Sequence, residues 1–493
     1  MENSKEIRYA EFASSPNIAL IKYWGKLDDY YNLPLNSSIS LTLDKSKIRS
    51  FTKIREEPGS DKVSFSLNGE SAEVSKIHKK ALEYFQQQTG LIEKRSILIE
   101  SENNFPTAAG MASSASGFAA FACCLANLVG YFKTKEGEEL ESYFERKWIE
   151  FADNLKKFKE NTDETKKLVL EIGRIVSFTS MVRQLSGSAC RSLFKGYCLL
   201  RGPENLLRSQ SFLSADHSIS TLRHVLTNFG IDCPEDFNLD LPDSLFPPTI
   251  NPPPSSDLLA SMLSRHYGIH TFTDGLRRQL HFACTAMPMI AYARLKDLHC
   301  SCPMAELAVS VVVMDSRRKL VGSKAGMIDS SKTSDFLIHR VATLATRIEA
   351  CIRHIIDGDI DGLLSMITTD SNSFHAVCAD TRPSLRYVTD TSFSMMHMIN
   401  ELNRADKVEN DSMRFAVSFD AGPNPFIFSR MSDMHMIASL ISNVAREITG
   451  LPEYEKECAK VQDCEVKSKF EMTDIQKGVV NQIESVYFSI KHN

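Results

Sequence analysis

Four short stretches hold residues whose types and spacing suit work on phosphate. In ENNFPTAAGMASSASG (102–117), Gly110, Ala112, Ser113 and Ser114, with Ser116 close by, carry small side chains and run into an apolar helical pattern. Serine hydroxyls can donate and the first-turn N–H groups of a helix lack partners, which makes a cradle for phosphate. The same residues suit a capped, closely packed helix start. No Gly-Lys-Ser/Thr follows the glycine, so this is not a Walker-type loop. In SPNIALIKYWGKLD (15–28), Lys22 and Lys26 flank Tyr23, Trp24 and Gly25. Two cations with an aromatic pair at a strand end can clamp a diphosphate, or can be solvated lysines on an edge strand. In RQLSGSACRS (183–192), Ser186, Ser188 and Arg191 offer two hydroxyls and a bidentate fork around Gly187. A helix start with a serine cap explains that motif about as well. Finally, RFAVSFDAGPNPFIFS (414–429) puts Asp420 where a turn leaves a strand, a place for a reactive carboxylate or for an Asx-type turn.

The elements that must position these groups are readable in outline. Residues 8–100 read as strands and turns, among them NIALIKYWG, SSISLTL, KVSFSLNGE with a hairpin turn at Asn68-Gly69, and SILIES. Phe118, Phe121, Leu125 and Leu128 predict a helix over 113–131. The charged stretch 134–171 spaces Phe144, Trp148, Phe151 and Leu155 as an amphipathic helix, expected as a solvated insertion beside the core. A helix through EIGRIVSFTSMVRQLS and a strand in FKGYCLLRG follow, and the Pro-rich LPDSLFPPTINPPPSSD (241–257) reads as an extended connection or surface loop. ELAVSVVVMD (306–315) and the periodic stretch after it begin a second α/β-type unit.

Composition sets bounds on function. A chain of 493 residues is long for one core, so two domains are expected. A formal charge of −5 over that length gives no general attraction to nucleic acid or anionic membrane, and no apolar stretch reaches the ~20 residues of a membrane span. The opening MENSKEIRYAEFASS lacks the apolar core of a secretory signal, so the expected place is cytoplasmic. Twelve cysteines without a CxxC pair support neither a zinc framework nor a disulfide scaffold, so no metal-ligand set is expected and the thiols are read as buried.

Taken in order, NIALIKYWGKLDDYYNLPLNSSISLTL, NNFPTAAGMASSASG, SGSACRS, SNSFHAVCADTRP and FDAGPN closely resemble the mevalonate diphosphate decarboxylase family. That family lies within the galactokinase, homoserine kinase, mevalonate kinase and phosphomevalonate kinase superfamily. The resemblance implies an α+β, two-domain small-molecule-kinase-like fold with the active site in the interdomain cleft, and a homodimer. The units would be 1–202 (ATP- and substrate-binding, with the charged insertion), 203–302 (connecting or inserted) and 303–493 (carrying the catalytic Asp). It implies ATP and Mg²⁺ as cofactors, with Gly110, Ala112, Ser113 and Ser114 on the nucleotide phosphates and Ser116 nearby. Mevalonate diphosphate would be held by Tyr23, Trp24, Gly25, Lys26, Ser186, Gly187, Ser188, Ala189, Cys190 and Arg191. Asn17 would orient Arg191, while Asp420 and Lys22 flank the reacting carbon.

The chain also departs from the family pattern. Leu27 stands where Arg is common and Leu185 where Gly usually precedes Ser-Gly-Ser, which raises the question of backbone freedom at that loop. VGSKAGM (321–327) replaces Ser-Ser-Thr-x-Gly-Met, with Lys324 as a cation for the substrate phosphates. The segments 134–171 and 203–290 are longer than the family norm, and the Gly-Pro ending commonly seen is replaced by GVVNQIESVYFSIKHN. Two rival readings follow: a mevalonate or phosphomevalonate kinase without decarboxylation, and a catalytically silent binding or regulatory homologue.

Overall fold

The computed structural model describes residues 7–59, 62–90, 95–106, 113–155, 162–208, 222–231, 257–270, 274–298, 307–315, 317, 319–410, 413–441, 447–449 and 481–490. In chain order the N-terminal elements are β1 (Arg8–Ser14), β2 (Asn17–Ile21), β3 (Lys26–Asp28), β4 (Leu33–Pro34), β5 (Ser38–Thr42), β6 (Ser50–Pro58), β7 (Val63–Leu67), β8 (Glu70–Ala72), α1 (Lys76–Thr89) and β9 (Arg95–Asn103). Then come α2 (Ser113–Leu128), α3 (Leu140–Asn154), α4 (Asp163–Leu185), a 3₁₀ turn at Ala189–Leu193 and β10 (Tyr197–Leu200). The middle of the chain supplies α5 (Glu204–Leu207), α6 (Leu222–Asn228), α7 (Asp257–Tyr267), α8 (Asp274–Ala283), β11 (Ala286–Pro288) and α9 (Met289–Leu295). The last part holds β12 (Leu307–Val313), α10 (Ser323–Thr333), α11 (Asp335–Asp357), α12 (Ile360–Asp380), α13 (Asp390–Asn410), β13 (Phe415–Phe419), β14 (Pro425–Arg430), α14 (Met434–Ile441), β15 (Glu447–Thr449) and β16 (Ser485–Ile490).

The described residues form three larger sheets and one two-stranded ribbon. One sheet has the order β1-β6-β9-β7-β8, a second β11-β10-β5-β2, a third β13-β14-β12-β16-β15, and β3-β4 form the ribbon. The Asn68-Gly69 turn joins β7 to β8 with both residues at positive φ (52° and 82°), the backbone that a two-residue hairpin needs and that Asn and Gly supply. The long apolar pattern after β12 is broken at Gly358, whose φ of 70° ends α11 and lets α12 start one residue after Asp359, whose carboxylate accepts from Gly362 N–H.

Two expectations change. The charged stretch at 134–171 is not a solvated appendage: Phe144, Trp148 and Phe151 of α3 are fully buried in the main core, while the charged residues of the helix stay at least partly exposed except Glu141, which is buried and accepts from Lys45. Residues 203–302 are more than a connection, since β11 pairs antiparallel with β10 and so adds a strand to an N-terminal sheet. The Pro-rich stretch lies outside the described residues up to 256. Among the described residues no helix is long and apolar enough to cross a membrane.

The second of the apolar clusters bears on the site. It gathers Trp24, Leu27, Leu33 and Leu35 from the β2–β5 region, Met262, Leu263, Leu276 and Leu280 from α7 and α8, and Leu337, Phe374 and Tyr387 from the C-terminal part. The loop carrying Lys22 to Asn32 is therefore packed by all three parts of the chain.

Candidate active site

Lys22 follows β2 directly, and Asp420 follows β13 directly. Their side chains meet, Nζ donating to Oδ1 at 2.7 Å. Both are held from α12. The Lys22 backbone N–H donates to Asp370 Oδ2 at 2.7 Å, and the N–H of Phe419, one residue before Asp420, donates to Ser371 Oγ at 3.0 Å. Asp370 is fully buried yet keeps its carboxyl below the usual range: burial opposes ionisation, but Arg340, the Lys22 N–H and Arg347 outweigh it. Arg340 donates to the same Asp370 oxygen at 2.8 Å and to the Lys22 carbonyl at 3.3 Å. The Asp420 turn is fixed by Asn424, whose Oδ1 accepts from the N–H groups of Met314 and Asp315 at the end of β12.

Arg191 lies in the 3₁₀ turn and is buried, donating to Ser38 Oγ with its guanidinium 5.9 Å from the centre of the Tyr23 ring. Burial lowers its pKa, and the Asp420 carboxylate is among the charges that oppose this, so the two groups act on one another. Asn17 holds the turn rather than bonding the guanidinium: its Nδ2 donates to the Ser188 carbonyl at 3.1 Å and to Ser192 Oγ at 2.7 Å. Among the described residues, its buried Oδ1 and the buried Arg191 Nε have no hydrogen-bond partner.

Gly187 is required by close approach. A Cβ there would stand 2.5 Å from the Tyr23 hydroxyl oxygen, which is itself buried and, among the described residues, unpaired. Ser186 ends α4 in extended backbone and its carbonyl accepts from Ala189 N–H at 2.9 Å. Cys190 is buried, which pushes its thiol up to about 11. Leu185 causes no strain: it lies in the last turn of α4 with its side chain in the core, so the glycine of the family pattern is not needed for a positive φ at this position.

The neighbouring loop places its members differently. Trp24 is buried, its Nε1 donates to Ser330 Oγ at 2.9 Å, and its ring lies edge-on to Phe374 at 4.8 Å. The indole thus joins the N-terminal loop to the C-terminal part. Gly25 adopts φ 92°, a backbone open mainly to glycine. Lys26 donates to Asp29 Oδ1 at 3.2 Å and to Asn32 Oδ1, and Lys324 reaches the other Asp29 oxygen at 3.1 Å. Burial lowers the Lys26 pKa, with Lys324 adding to the effect and Asp29 opposing it. Two lysines 298 positions apart therefore share one carboxylate, an arrangement suited to a multiply charged anion.

At the other end, α2 begins at Ser113 and packs against the turn that carries Arg191. Ser114 is exposed in the first turn, whereas Ser116 is fully buried and hydrogen-bonded to Ser50 Oγ at 2.7 Å. Gly110 and Ala112 lie outside the described residues.

Within the SNSFHAVCADTRP block the sequence gives no sign of the roles of Ser371 or of Asp370, one residue before it, beyond an Asp-Ser pair on a helix that otherwise faces the core. Nor does it mark Lys319, whose Nζ donates to the Ala421 carbonyl and to Ser323 Oγ, both at 2.9 Å, beside Asp420.

Comparison with known proteins decides the family. Residues 14–143 match the diphosphomevalonate decarboxylase-like N-terminal domain, and residues 309–492 match the mevalonate 5-diphosphate decarboxylase C-terminal domain. The chain belongs to the mevalonate diphosphate decarboxylase family. A diphosphomevalonate decarboxylase from Ganoderma lucidum is 29% identical over 447 residues, which cover 88% of this chain and 81% of the relative. A crystal structure of a mevalonate 5-diphosphate decarboxylase shares the fold with a TM-score of 0.64 at 22% identity, over 99% of this chain and 96% of that one. A further structure, of a protein abbreviated MDDEF in complex with MVAPP, AMPPCP and magnesium, has a TM-score of 0.55 at 20% identity, over 89% and 94% of the two chains. The α+β fold of this family is thus the fold of the chain.

Proposed function

We propose that this protein is an ATP-dependent decarboxylase converting mevalonate 5-diphosphate to isopentenyl diphosphate. The observation that carries the reading is the Lys22–Asp420 pair at 2.7 Å, with the buried Arg191 within electrostatic reach. A tertiary alcohol is a poor leaving group. ATP, with Mg²⁺, would supply the phosphoryl group that turns the 3-hydroxyl into a better one. The first-turn N–H groups of α2, with the exposed Ser114 and with Ser113, fit the phosphates of such a nucleotide.

The chain's own groups then have defined tasks. Asp420 accepts or organises the hydroxyl proton, and Lys22 sets the orientation of that carboxylate. Departure of phosphate and of carbon dioxide changes the charge at the reacting carbon, and Arg191, Lys22 and Asp420 are prearranged charges for that change. Lys26 and Lys324 hold the diphosphate, exchanging the Asp29 carboxylate for it. Ser186 and Ser188 add hydroxyls, and Gly187 lets the Tyr23 ring lie against the loop. The same reading has the enzyme act as a homodimer, in the cytoplasm, in sterol precursor synthesis.

A coupled ATPase assay with mevalonate, its monophosphate and its diphosphate tests the reading. Carbon dioxide release in step with ATP consumption is expected for the diphosphate alone. A stable phosphorylated product without carbon dioxide would mean a kinase, and nucleotide binding without turnover would mean a silent homologue.

A further inference from the structure

The middle segment has no part in the chemistry above, yet two of its helices grip the loop that carries Lys26. On α8, Arg277 is buried and sends both Nε and an η nitrogen to Asp28 Oδ2 at 2.7 Å. The other Asp28 oxygen accepts from Tyr31 N–H at 2.7 Å. One turn further along α8, His281 receives Arg183 at Nδ1 and at its carbonyl, both at 2.8 Å. The same Arg183 donates to the carbonyls of Tyr31 and Asn32, at 2.9 and 3.0 Å.

These bonds converge on Asn32, which adopts φ 49°, a left-handed backbone that a non-glycine residue keeps only when its surroundings fix it. The Asn32 side-chain oxygen is what Lys26 donates to. Leu27, one of the departures from the family pattern, shares its apolar cluster with Met262, Leu263, Leu276 and Leu280 of α7 and α8. On α7, Tyr267 donates to the Leu35 carbonyl at 2.6 Å, at the far end of the same loop.

We infer that Arg277 is a positioning residue for the diphosphate subsite, and that α7 and α8 are a brace that fixes the 24–35 loop so that Lys26 presents its charge in one place. This rests on the decarboxylase reading for the identity of the anion, but not for the brace itself. A long-range buried ion pair at the base of a binding loop differs from general packing in what its loss does: the loop loosens while the rest of the molecule keeps its shape.

The experiment uses the full chain, as Arg277→Met and as Arg277→Lys, with steady-state kinetics in mevalonate diphosphate and in MgATP and amide hydrogen exchange over residues 24–35. The inference expects KM for mevalonate diphosphate to rise about tenfold or more in Arg277→Met, since small misplacement of binding groups is costly, with KM for ATP within about twofold. Exchange should quicken in 24–35 and not in β12–β14, and Arg277→Lys should recover part of the loss. An unchanged substrate KM in a folded Arg277→Met protein overturns the inference, as does an equal rise in both KM values with exchange faster throughout. Should Arg277→Met not fold, Arg277→Lys, which keeps the charge but loses the fork, decides by the same split. Failure of the wild-type chain to release carbon dioxide would count against the decarboxylase reading alone, because the exchange measurement still decides whether Arg277 holds the loop.

Discussion

Lys22 is engaged by two carboxylates at once, its backbone by Asp370 and its ammonium by Asp420. Replacing Asp420 by Asn keeps the shape but removes the charge, so turnover should fall by about 10² or more, measured by carbon dioxide release, and a melting curve should shift down as well, because the buried Lys22 ammonium loses its carboxylate. Asp370→Ala should act differently. It leaves the buried Arg340 without its carboxylate, so about 3–5 kcal/mol of stability should be lost in a denaturant titration, and turnover should drop through the freed Lys22 backbone. At this scale the motifs were legible and many of their partners were not. Nothing near Trp24 in sequence points to Ser330, nor near Lys26 to Ser331, because such pairings depend on chain segments that only folding brings together; Asn32, six positions from Lys26, meets it through the turn between β3 and β4. Residue type alone also does not separate a ligand from a strut: Trp24 reads as part of a clamp, and its ring also packs edge-on against Phe374 and Tyr387 of the C-terminal part.

Elements were easier to read than their environments. The sequence patterns gave α2, β10 and β12 close to their observed limits, since such patterns depend on local sequence, whereas α4 begins at Asp163, inside the charged stretch and ahead of the helix read from Glu171. Whether a helix is inside or outside depends on what covers it, and α3 shows the difference. Its charges suggested a solvated insertion, whereas Trp148 is wholly buried. Trp148→Ala should therefore cost about 3–5 kcal/mol in chemical denaturation, where a solvated helix would lose well under half of that. The loop before Arg191 offers a second contrast. Gly187→Ala would push a methyl group into Tyr23, so substrate KM should increase while the helix that precedes it, ending at Leu185, keeps its stability.

For the molecule as a whole, pH is an informative variable. Burial, together with Lys22 for His375, holds both His78 and His375 down at about 4. Their unfolded value is near 6.5, so between about pH 6.5 and 4 the unfolded chain binds protons that the folded one does not, and stability must fall as pH falls through that window. Denaturation midpoints at pH 7, 6 and 5 should show the decline, and His78→Gln should make it shallower. The sheet order has a different consequence, which concerns synthesis. β10 gains its outer neighbour only from residues 286–288, some 85 positions later than its own end at Leu200. While the nascent polypeptide leaves the ribosome, that edge must wait bare until the middle third has emerged, and any fragment stopped before then carries a sticky strand into solution.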